Sequence, residues 1–310
     1  FKQKTAYEIK ECDWSSDVVL FRSGLTGVVN ARIVAPFARD EESARVELDL
    51  SRAAIDGLLP GFIKPAGRPA KATFSLDRSG NAIEVDDLVF DAPSGPALRG
   101  ALKLDAAGAF RSARLSQLRL SPGDEMKVEA DVTQGGLKLV VRGQNIDARP
   151  FLRGVMKTDT VTATTREPAA TRDMELDLRS AIVTGHNRQS LSGVELQLTR
   201  RAGAVRSFQL QARSGRAAIS GGTPRGREGS GEFSLTSADS GSILSFLDIY
   251  KRMEGGKLAL NARLADGGFS GTLNIHDFIL RDEPALRRID RKSTRLNSSH
   301  IPLSRMPSSA

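Results

Sequence analysis

The sequence predicts a mainly β protein, an antiparallel meander of strands accompanied by two short helices. Apolar and polar residues alternate over many short segments, which is the period of a strand that buries one face. Clusters of Gly, Pro, Asn, Asp and Ser separate these segments, as turns do. Helical periodicity is restricted to two short stretches. Strands of this length joined by such turns are typical of consecutive antiparallel pairing.

Six segments alternate without interruption and predict strands directly: residues 44–50, 71–76, 126–132, 174–179, 194–199 and 257–264. Weaker alternation predicts further strands at residues 98–104, 137–141, 208–212 and 269–275. The turn signals between them lie at residues 78–81, 92–96, 106–108, 121–124, 134–136 and 266–268. Each turn falls between two alternating segments, which predicts a series of hairpins.

Two strands change phase along their length. The apolar positions move from Ile83 and Val85 to Leu88 and Phe90, and the same slip occurs between Leu115 and Leu118. Because a shift of one residue moves every later side chain to the other face of a sheet, an uninterrupted strand cannot accommodate it. We therefore predict a β-bulge or a bend at both places.

Two segments predict short helices. Residues 147–154 begin with Asp147, a residue type that caps helix N-termini, and place Pro150 in the first turn. Residues 240–253 bring Ile243, Phe246, Leu247 and Tyr250 to one face, and a Gly-Gly pair at 255–256 predicts the end of this helix.

The two ends of the chain differ in composition from the middle. Residues 1–19 and 290–310 have neither strand nor helix periodicity, and both resemble translated sequencing-adapter DNA. We therefore expect both to be disordered artefacts and exclude them from the fold. Between them we predict two strand-rich segments, 20–157 and 174–289, joined by a polar, Thr- and Ala-rich linker at 158–173.

Composition and charge exclude several classes of protein. The chain has one Cys, so it forms no internal disulfide, and it has no apolar run long enough to cross a bilayer. The net charge of +8 includes −1 from residues 1–19 and +3 from residues 289–310, so the middle carries +6. A surplus of this size is ordinary for a soluble surface. Together with the scarcity of aromatic residues, it disfavours nucleic acid as a partner.

Candidate catalytic and metal-ligating residues are sparse. His186 and His276 are the only histidines of the middle region and lie far apart in the sequence. Two acidic pairs, residues 86–87 and 282–283, consist of neighbours whose side chains point to opposite sides of an extended chain, so solvated charge is the simpler interpretation. The Arg-Gly-Arg loop at 225–227 resembles an RNA-binding tract but lacks aromatic residues. We predict no catalytic residue, no metal site and no cofactor, and a protein that is not an enzyme.

The alternating apolar residues are the remaining candidates for a functional surface. We predict that one apolar face contains Val46, Leu48, Leu50, Phe74, Leu76, Met126, Val128, Leu176, Leu178, Leu196, Leu258 and Leu260. Such a face either fills the interior of a β-sandwich or lines an open trough that accepts acyl chains. The period alone does not separate the two alternatives, because both require one apolar face.

Several segments resemble the AsmA-like envelope proteins, in particular the C-terminal region of the large YhdP-type members. The resemblance is carried, in order along the chain, by DLSRAAI (49–55), KPAGRPAKA (64–72), IDARPFL (146–152), VTGHN (183–187) with LSGV (191–194), FLDIYKRMEGG (246–256), and GTLNIHDF (271–278) with EPAL (283–286). It extends over nearly all of residues 20–289.

The resemblance implies an elongated, curled and open β-groove made of the two predicted segments, with a β-sandwich as the alternative. It implies a fragment of a periplasmic protein attached to the bacterial inner membrane by an anchor that this sequence lacks. Its partners would be phospholipid acyl chains moving between the inner and outer membranes, and other envelope proteins. The alternative function is a non-enzymatic scaffold or assembly factor of the cell envelope.

Overall fold

The computed structural model describes residues 24–35, 43–56, 61–93, 95–134, 136–156, 173–202, 204–224, 226, 230–265 and 268–282. The predictions for residues 1–19, for residues 290–310 and for nearly all of the linker at 158–173 therefore lie outside the described residues.

The chain is mainly β, as predicted, and the described residues form eighteen strands and two short helices. The strands are β1 (Leu25–Gly27), β2 (Asn30–Val34), β3 (Ser43–Asp49), β4 (Ala53–Asp56), β5 (Ile63–Lys64), β6 (Lys71–Ser79), β7 (Ala82–Asp91), β8 (Ala97–Asp105), β9 (Phe110–Arg119), β10 (Glu125–Thr133), β11 (Gly136–Asp147), β12 (Met174–Thr184), β13 (Ser190–Arg201), β14 (Ala204–Ser214), β15 (Ala217–Gly222), β16 (Glu232–Ser237), β17 (Met253–Ala265) and β18 (Gly268–Leu280). The helices are α1 (Arg149–Met156) and α2 (Ser240–Phe246).

Fifteen of the strands form one large, curled sheet that does not close into a barrel. Neighbours in the sheet follow chain order from β18 back to β6, and β3 and β2 complete it. Strands β14 and β17 approach each other to within 8 Å between Cα atoms although β15 and β16 lie between them, so the sheet bends sharply there. The other three strands form a small sheet in the order β1, β4, β5.

One strand pair departs from the predicted antiparallel meander. Strands β11 and β12 are parallel, in continuous register from Leu137 opposite Met174 to Asp147 opposite Thr184. A parallel neighbour requires a crossover connection rather than a hairpin, and α1 lies in that connection. The two segments predicted at 20–157 and 174–289 are thus joined within a single sheet.

Both predicted phase slips are confirmed. The register of β7 against β8 shifts between Val85 and Leu88, and Asp87 has a positive φ of 50°. On β9, Leu115 and Leu118 face Val128 and Met126, so three residues of β9 span two residues of β10. Each bulge returns the apolar side chains to the same face of the sheet.

Both helices are present, but α2 is shorter than predicted. It begins where Asp239 accepts a hydrogen bond from the backbone N–H of Ser242 (3.1 Å) and ends at Phe246. Asp248 then adopts a positive φ of 61°, and Met253 already begins β17. The Gly-Gly pair that was expected to end the helix lies inside β17 with φ of 64° and 90°, because the left-handed conformations it permits are used in the strand.

The connections at the two rims of the large sheet differ. At one rim, β4 and β5 connect β3 to β6, α1 follows β11, and α2 lies between β16 and β17. We call this the capped rim. At the opposite rim, short turns connect β6 to β7, β8 to β9, β10 to β11 and β13 to β14. We call this the free rim. The two helices and the strands β4 and β5 therefore all lie at the capped rim.

Candidate functional site

Eleven of the twelve predicted apolar residues lie on strands of the large sheet and share one face, and Leu50 directly follows β3. Residues directly opposite each other on paired strands project from the same face. Val46 lies opposite Phe74, Val128 opposite Val141, and Leu178 opposite Leu196. The bulges preserve this arrangement across β7 and β9. We call this side of the sheet the apolar face.

Two continuous rows of facing residues run along the apolar face, perpendicular to the strands. The first row crosses ten strands and consists of Ala44, Leu76, Val85, Leu102, Ala113, Ala130, Leu139, Leu176, Leu198 and Phe208. The second row crosses nine strands and consists of Val128, Val141, Leu178, Leu196, Leu210, Gly221, Leu235, Leu260 and Leu273. Neither row contains a polar side chain.

Burial divides the twelve predicted residues into two groups. Val46, Leu50, Met126 and Leu258 are buried, with 4–5% of their surface exposed. The other eight are half-buried: Leu48, Phe74, Leu76, Val128, Leu176, Leu178, Leu196 and Leu260. In a sandwich interior, a second sheet about 10 Å away covers such central positions. Here the only other sheet among the described residues is the small one beside the capped rim.

A cluster of buried apolar residues lies at the capped rim. Phe62, which directly precedes β5, packs its ring against Phe90 of β7 with centroids 5.1 Å apart. Ile243 and Phe246 of α2 belong to the same buried cluster, and Phe151 of α1 packs against it. The buried Leu50 and Met126 are members of this cluster, so protein covers their side chains.

A buried ammonium group joins the small sheet to the end of β3. The Nζ atom of Lys64 donates hydrogen bonds to the backbone carbonyl oxygens of Leu50, Ser51 (3.2 Å) and Ala53 (2.6 Å). Burial lowers the pKa of Lys64, and the carboxylate of Asp49 opposes that shift. The three bonds use all of the ammonium donors, so the group joins the chain after β3 to the small sheet in addition to the apolar contacts of Leu50 and Ala53 in the buried cluster.

Two aspartates attach α1 to the capped rim. Asp124 accepts hydrogen bonds from the backbone N–H groups of Leu120 (3.0 Å), Ser121 (2.7 Å) and Asp147 (2.7 Å). Asp147 accepts bonds from the backbone and the guanidinium of Arg149 at the start of α1. Burial raises the pKa of Asp147, but the bonds from Arg149 and Ser121 outweigh this and hold the pKa below its ordinary value. Asp147 is therefore charged and bonded to the first residue of α1, but it is the last residue of β11, and the helix begins at Arg149, two residues later than predicted.

The turn around His186 fixes α2. The backbone N–H of His186 donates to the carbonyl oxygen of Phe246 (2.9 Å), and the amide of Asn187 donates to Ser245 (2.8 Å) and to Asp248 (2.9 Å). A Cβ atom at Gly185 would lie 2.3 Å from the ring of Phe246. The helix can therefore approach this turn only where glycine is present.

The opposite face of the sheet is polar and is crossed by ion pairs. Arg142 of β11 forms two bonds with the carboxylate of Asp177 (2.8 and 3.1 Å), and these bonds lower the pKa of Asp177. Lys103 pairs with Glu84 (2.6 Å), and Arg201 pairs with Glu175. Exposed ion pairs of this kind contribute little stability each. Their main effect is to give this face a charged surface that stays in contact with water.

The predicted chemical candidates do not converge on a site. His186 lies in the turn at 185–187 that contacts α2, whereas His276 is exposed on β18, opposite Lys257. Asp86 and Asp87 are exposed at the β7 bulge. Arg225, Arg227 and Glu283 lie outside the described residues. Over the described part of the chain, no three His, Cys, Asp or Glu side chains are grouped as metal ligands would be. Within the same residues, neither helix has the length and apolar character needed to cross a membrane.

Two features of the site were not predicted from the sequence. Lys64 lies in a Pro- and Gly-containing stretch without periodicity, so nothing in the sequence indicated its burial. Arg200 lies on the apolar face, opposite Met174 and Val205, at the free rim. The alternation of Leu196 and Leu198, continued by two residues along the strand, does place Arg200 on the apolar face.

Comparison of the chain with protein-family models, curated proteins and solved structures found no match in any of the three.

Proposed function

We propose that this chain is a segment of a lipid-conducting trough, in which phospholipid acyl chains lie along the apolar face and the headgroups remain in water. The observation that carries the proposal is the pair of apolar rows, continuous over nine and ten strands and half-buried at most of their members. Hydrocarbon chains are the ligand whose chemistry matches a long apolar surface without polar groups.

The energetics favour binding without any chemical step. Each methylene that leaves water contributes about 0.8 kcal/mol, so two acyl chains are retained by many small, equivalent contributions. Because neither row contains a polar side chain that would hold a lipid at one position, we expect no position along the rows to bind an acyl chain much better than the next. A lipid can then move along the trough with small barriers.

The dimensions are suitable for conduction rather than for one enclosed site. Nine strand spacings of about 4.8 Å give the first row a length of roughly 43 Å along the sheet. The hydrocarbon of one leaflet is only about 15 Å thick. An acyl chain therefore occupies about a third of the row, and several lipids fit in sequence.

The family resemblance supports the same proposal and adds a location. An AsmA-like protein would be periplasmic and attached to the inner membrane, conducting phospholipid towards the outer membrane beside other envelope proteins. The segments 183–187 and 246–256 carry part of that resemblance. They lie against each other, since the turn at 185–187 is hydrogen-bonded to the end of α2. Protease accessibility of the full-length protein in intact cells and in spheroplasts tests the location, since a cytoplasmic protein would be protected in both.

The alternative function, an envelope scaffold built as a dry sandwich, requires a second layer over the rows. The small sheet at the capped rim is too short to supply one for the ten strands of the first row. Five residues of the second row do pack against the buried cluster of the capped rim: Val128, Val141, Leu178, Leu210 and Leu235. They nevertheless stay half-buried, so the described residues do not close a second layer over the row, and the trough is the function they support better.

Photocrosslinking tests the proposal without removing the apolar surface. A benzophenone amino acid replaces Leu196 in one variant and Gln197 in the other, because these neighbours on β13 project from opposite faces. After expression of the full chain in bacteria and irradiation, we expect a phospholipid adduct by mass spectrometry at position 196 and none at 197. Equal labelling at the two positions, or no adduct at 196, would contradict the proposal.

A further inference from the structure

An open cleft lies on the polar face of the large sheet, opposite the apolar rows. It has a volume of about 720 Å³ and is lined by residues of strands β8 to β13. Four of these residues are cations: Arg99, Lys127, Arg142 and Arg179. Along its own strand, each of them lies between two residues of the apolar face, so its side chain projects from the polar face. We call this surface the polar cleft.

The polar cleft lies where the β-bulges of three strands come together. The register shifts at Ser116 and Gln117 of β9, at Gln144 of β11, and at Gly193 of β13, where φ is 56°. All four residues line the cleft. A bulge bends its strand and redirects the side chains beside it, and bulges are frequent next to functional sites. Three bulges in alternate strands therefore bend the sheet at this place.

The four cations differ in whether a carboxylate neutralises them. Arg142 forms two bonds with the carboxylate of Asp177, which also lies 3.9 Å from the guanidinium of Arg179. Neither the guanidinium of Arg99 nor the ammonium of Lys127 has a hydrogen-bond or ion-pair partner among the described residues. Both side chains are exposed, so their donors are available to a ligand.

Arg99 and Lys127 are close enough to bind one group between them. Arg99 lies directly opposite Gln117 of β9, and Lys127 lies on the next strand, beside the same bulge. Two strand spacings separate the Cα atoms of the two cations by about 10 Å. Two long side chains can close that gap around a single phosphate group. Gln117, which lies between them, can supply an amide donor.

We infer that the polar cleft binds the phosphate group of a small organic phosphate between Arg99 and Lys127. A guanidinium donates two parallel charge-assisted hydrogen bonds to phosphate, and an ammonium adds a compact positive charge. The volume of the cleft is within the range of small-molecule sites. The inference concerns the face opposite the apolar rows, so it does not depend on the proposed trough.

Two carboxylates of the cleft indicate what the rest of the ligand carries. Glu125 lies two residues before Lys127 on β10, and Glu195 lies at the far end of the cleft on β13. Carboxylates repel a bare anion but accept hydrogen bonds from hydroxyl groups. The site therefore favours a phosphate ester with hydroxyl groups over inorganic phosphate.

Calorimetric titration of the full chain with glycerol 3-phosphate, at constant pH and ionic strength, tests the inference. We expect saturable binding that Arg99→Gln and Lys127→Gln each weaken about tenfold. Lys138→Gln is the matched control, because Lys138 is exposed on the same face, opposite Asp131 and outside the cleft, and its loss should leave the Kd unchanged. Circular dichroism shows that each variant is folded.

Two further titrations identify the ligand. Inorganic phosphate should bind more weakly than glycerol 3-phosphate, and Glu125→Gln should narrow the difference by removing the repelling charge. Phosphatidylglycerol vesicles present the same phosphate in a lipid headgroup. Sedimentation with vesicles that is lost in Arg99→Gln and Lys127→Gln, without binding of the soluble ester, would assign the phosphate to a headgroup. Absence of saturable binding to both the ester and the vesicles, or equal weakening by Lys138→Gln, would overturn the inference.

Discussion

At the scale of single residues, the capped rim depends on polar groups that are buried and fully bonded. Lys64 has 1% of its surface exposed, and its ammonium bonds three carbonyl oxygens near the end of β3. A buried charge is costly unless it is bonded, and buried carbonyl groups are costly once their donor is removed. The side chain therefore stabilises the rim only as part of the complete set.

We predict that Lys64→Met lowers the free energy of unfolding by about 1–3 kcal/mol, because the substitution removes three hydrogen bonds, although Leu50 and Ser51 each keep a backbone donor, from Ala53 and Gly67. Urea unfolding followed by circular dichroism measures the change. Lys127→Met is the control, since Lys127 is exposed on β10 and should shift the unfolding free energy by less than about 0.5 kcal/mol. Equal effects of the two substitutions would show that the bonds to Lys64 contribute nothing specific.

At the scale of elements, the position of α2 follows from the chain around it. The helix itself has seven residues, too few to be stable alone, and it is positioned by contacts with the turn at 185–187. Its predicted extension to Met253 was wrong because Asp248 reverses the chain and β17 takes residues from 253 onward. Pairing with β16 and β18 outweighed the local helical pattern.

We predict that Gly185→Ala destabilises the protein by about 1–3 kcal/mol, since its Cβ would overlap the ring of Phe246 and displace α2. The control is Gly222→Ala, where a Cβ would meet no atom closer than 3.6 Å. Thermal unfolding measures both. In the background of Phe246→Ala, Gly185→Ala should cost much less, because the overlapping ring is gone. Full additivity of the two substitutions would exclude the steric explanation.

At the scale of the whole molecule, one sheet has two surfaces with different roles. Ion pairs and uncharged polar residues cover the polar face, whereas the apolar face is packed at the capped rim and half-exposed along the rows. An apolar face that stays partly exposed along two continuous rows is a candidate binding surface, because large exposed apolar patches mark such surfaces. The trough proposal assigns that surface to lipid.

We predict that Leu196→Asp with Leu210→Asp removes most of the phospholipid that co-purifies with the full chain. The two residues face each other in the second row, and carboxylates there would have to lose water when an acyl chain binds. Gln197→Asp with Gln209→Asp introduces the same facing pair on the polar face of the same strands and should leave the lipid content unchanged. Lipid is measured by mass spectrometry after solvent extraction.

The two pairs share strands, charge and spacing, and differ only in the face they modify. Retained lipid in the first pair would therefore contradict binding along the second row. Loss of lipid in both double variants would assign the effect to repulsion between the introduced charges or to unfolding. Circular dichroism distinguishes these two explanations.

Alternation along each strand was enough to predict the class of fold, the common face of the eleven predicted apolar residues that lie on strands, and both bulges, because side-chain direction in a strand is a local property of the backbone. Other features depend on residues distant in sequence: the parallel pairing of β11 with β12, the burial of Lys64, the early end of α2, and the division of the apolar face into a covered rim and half-buried rows. The alternation of apolar and polar residues along a strand is the same whether the apolar face meets a second sheet, a cap or solvent. Only the packing of the assembled chain determines which of these each leucine meets, because burial is a property of neighbours that the local pattern does not specify.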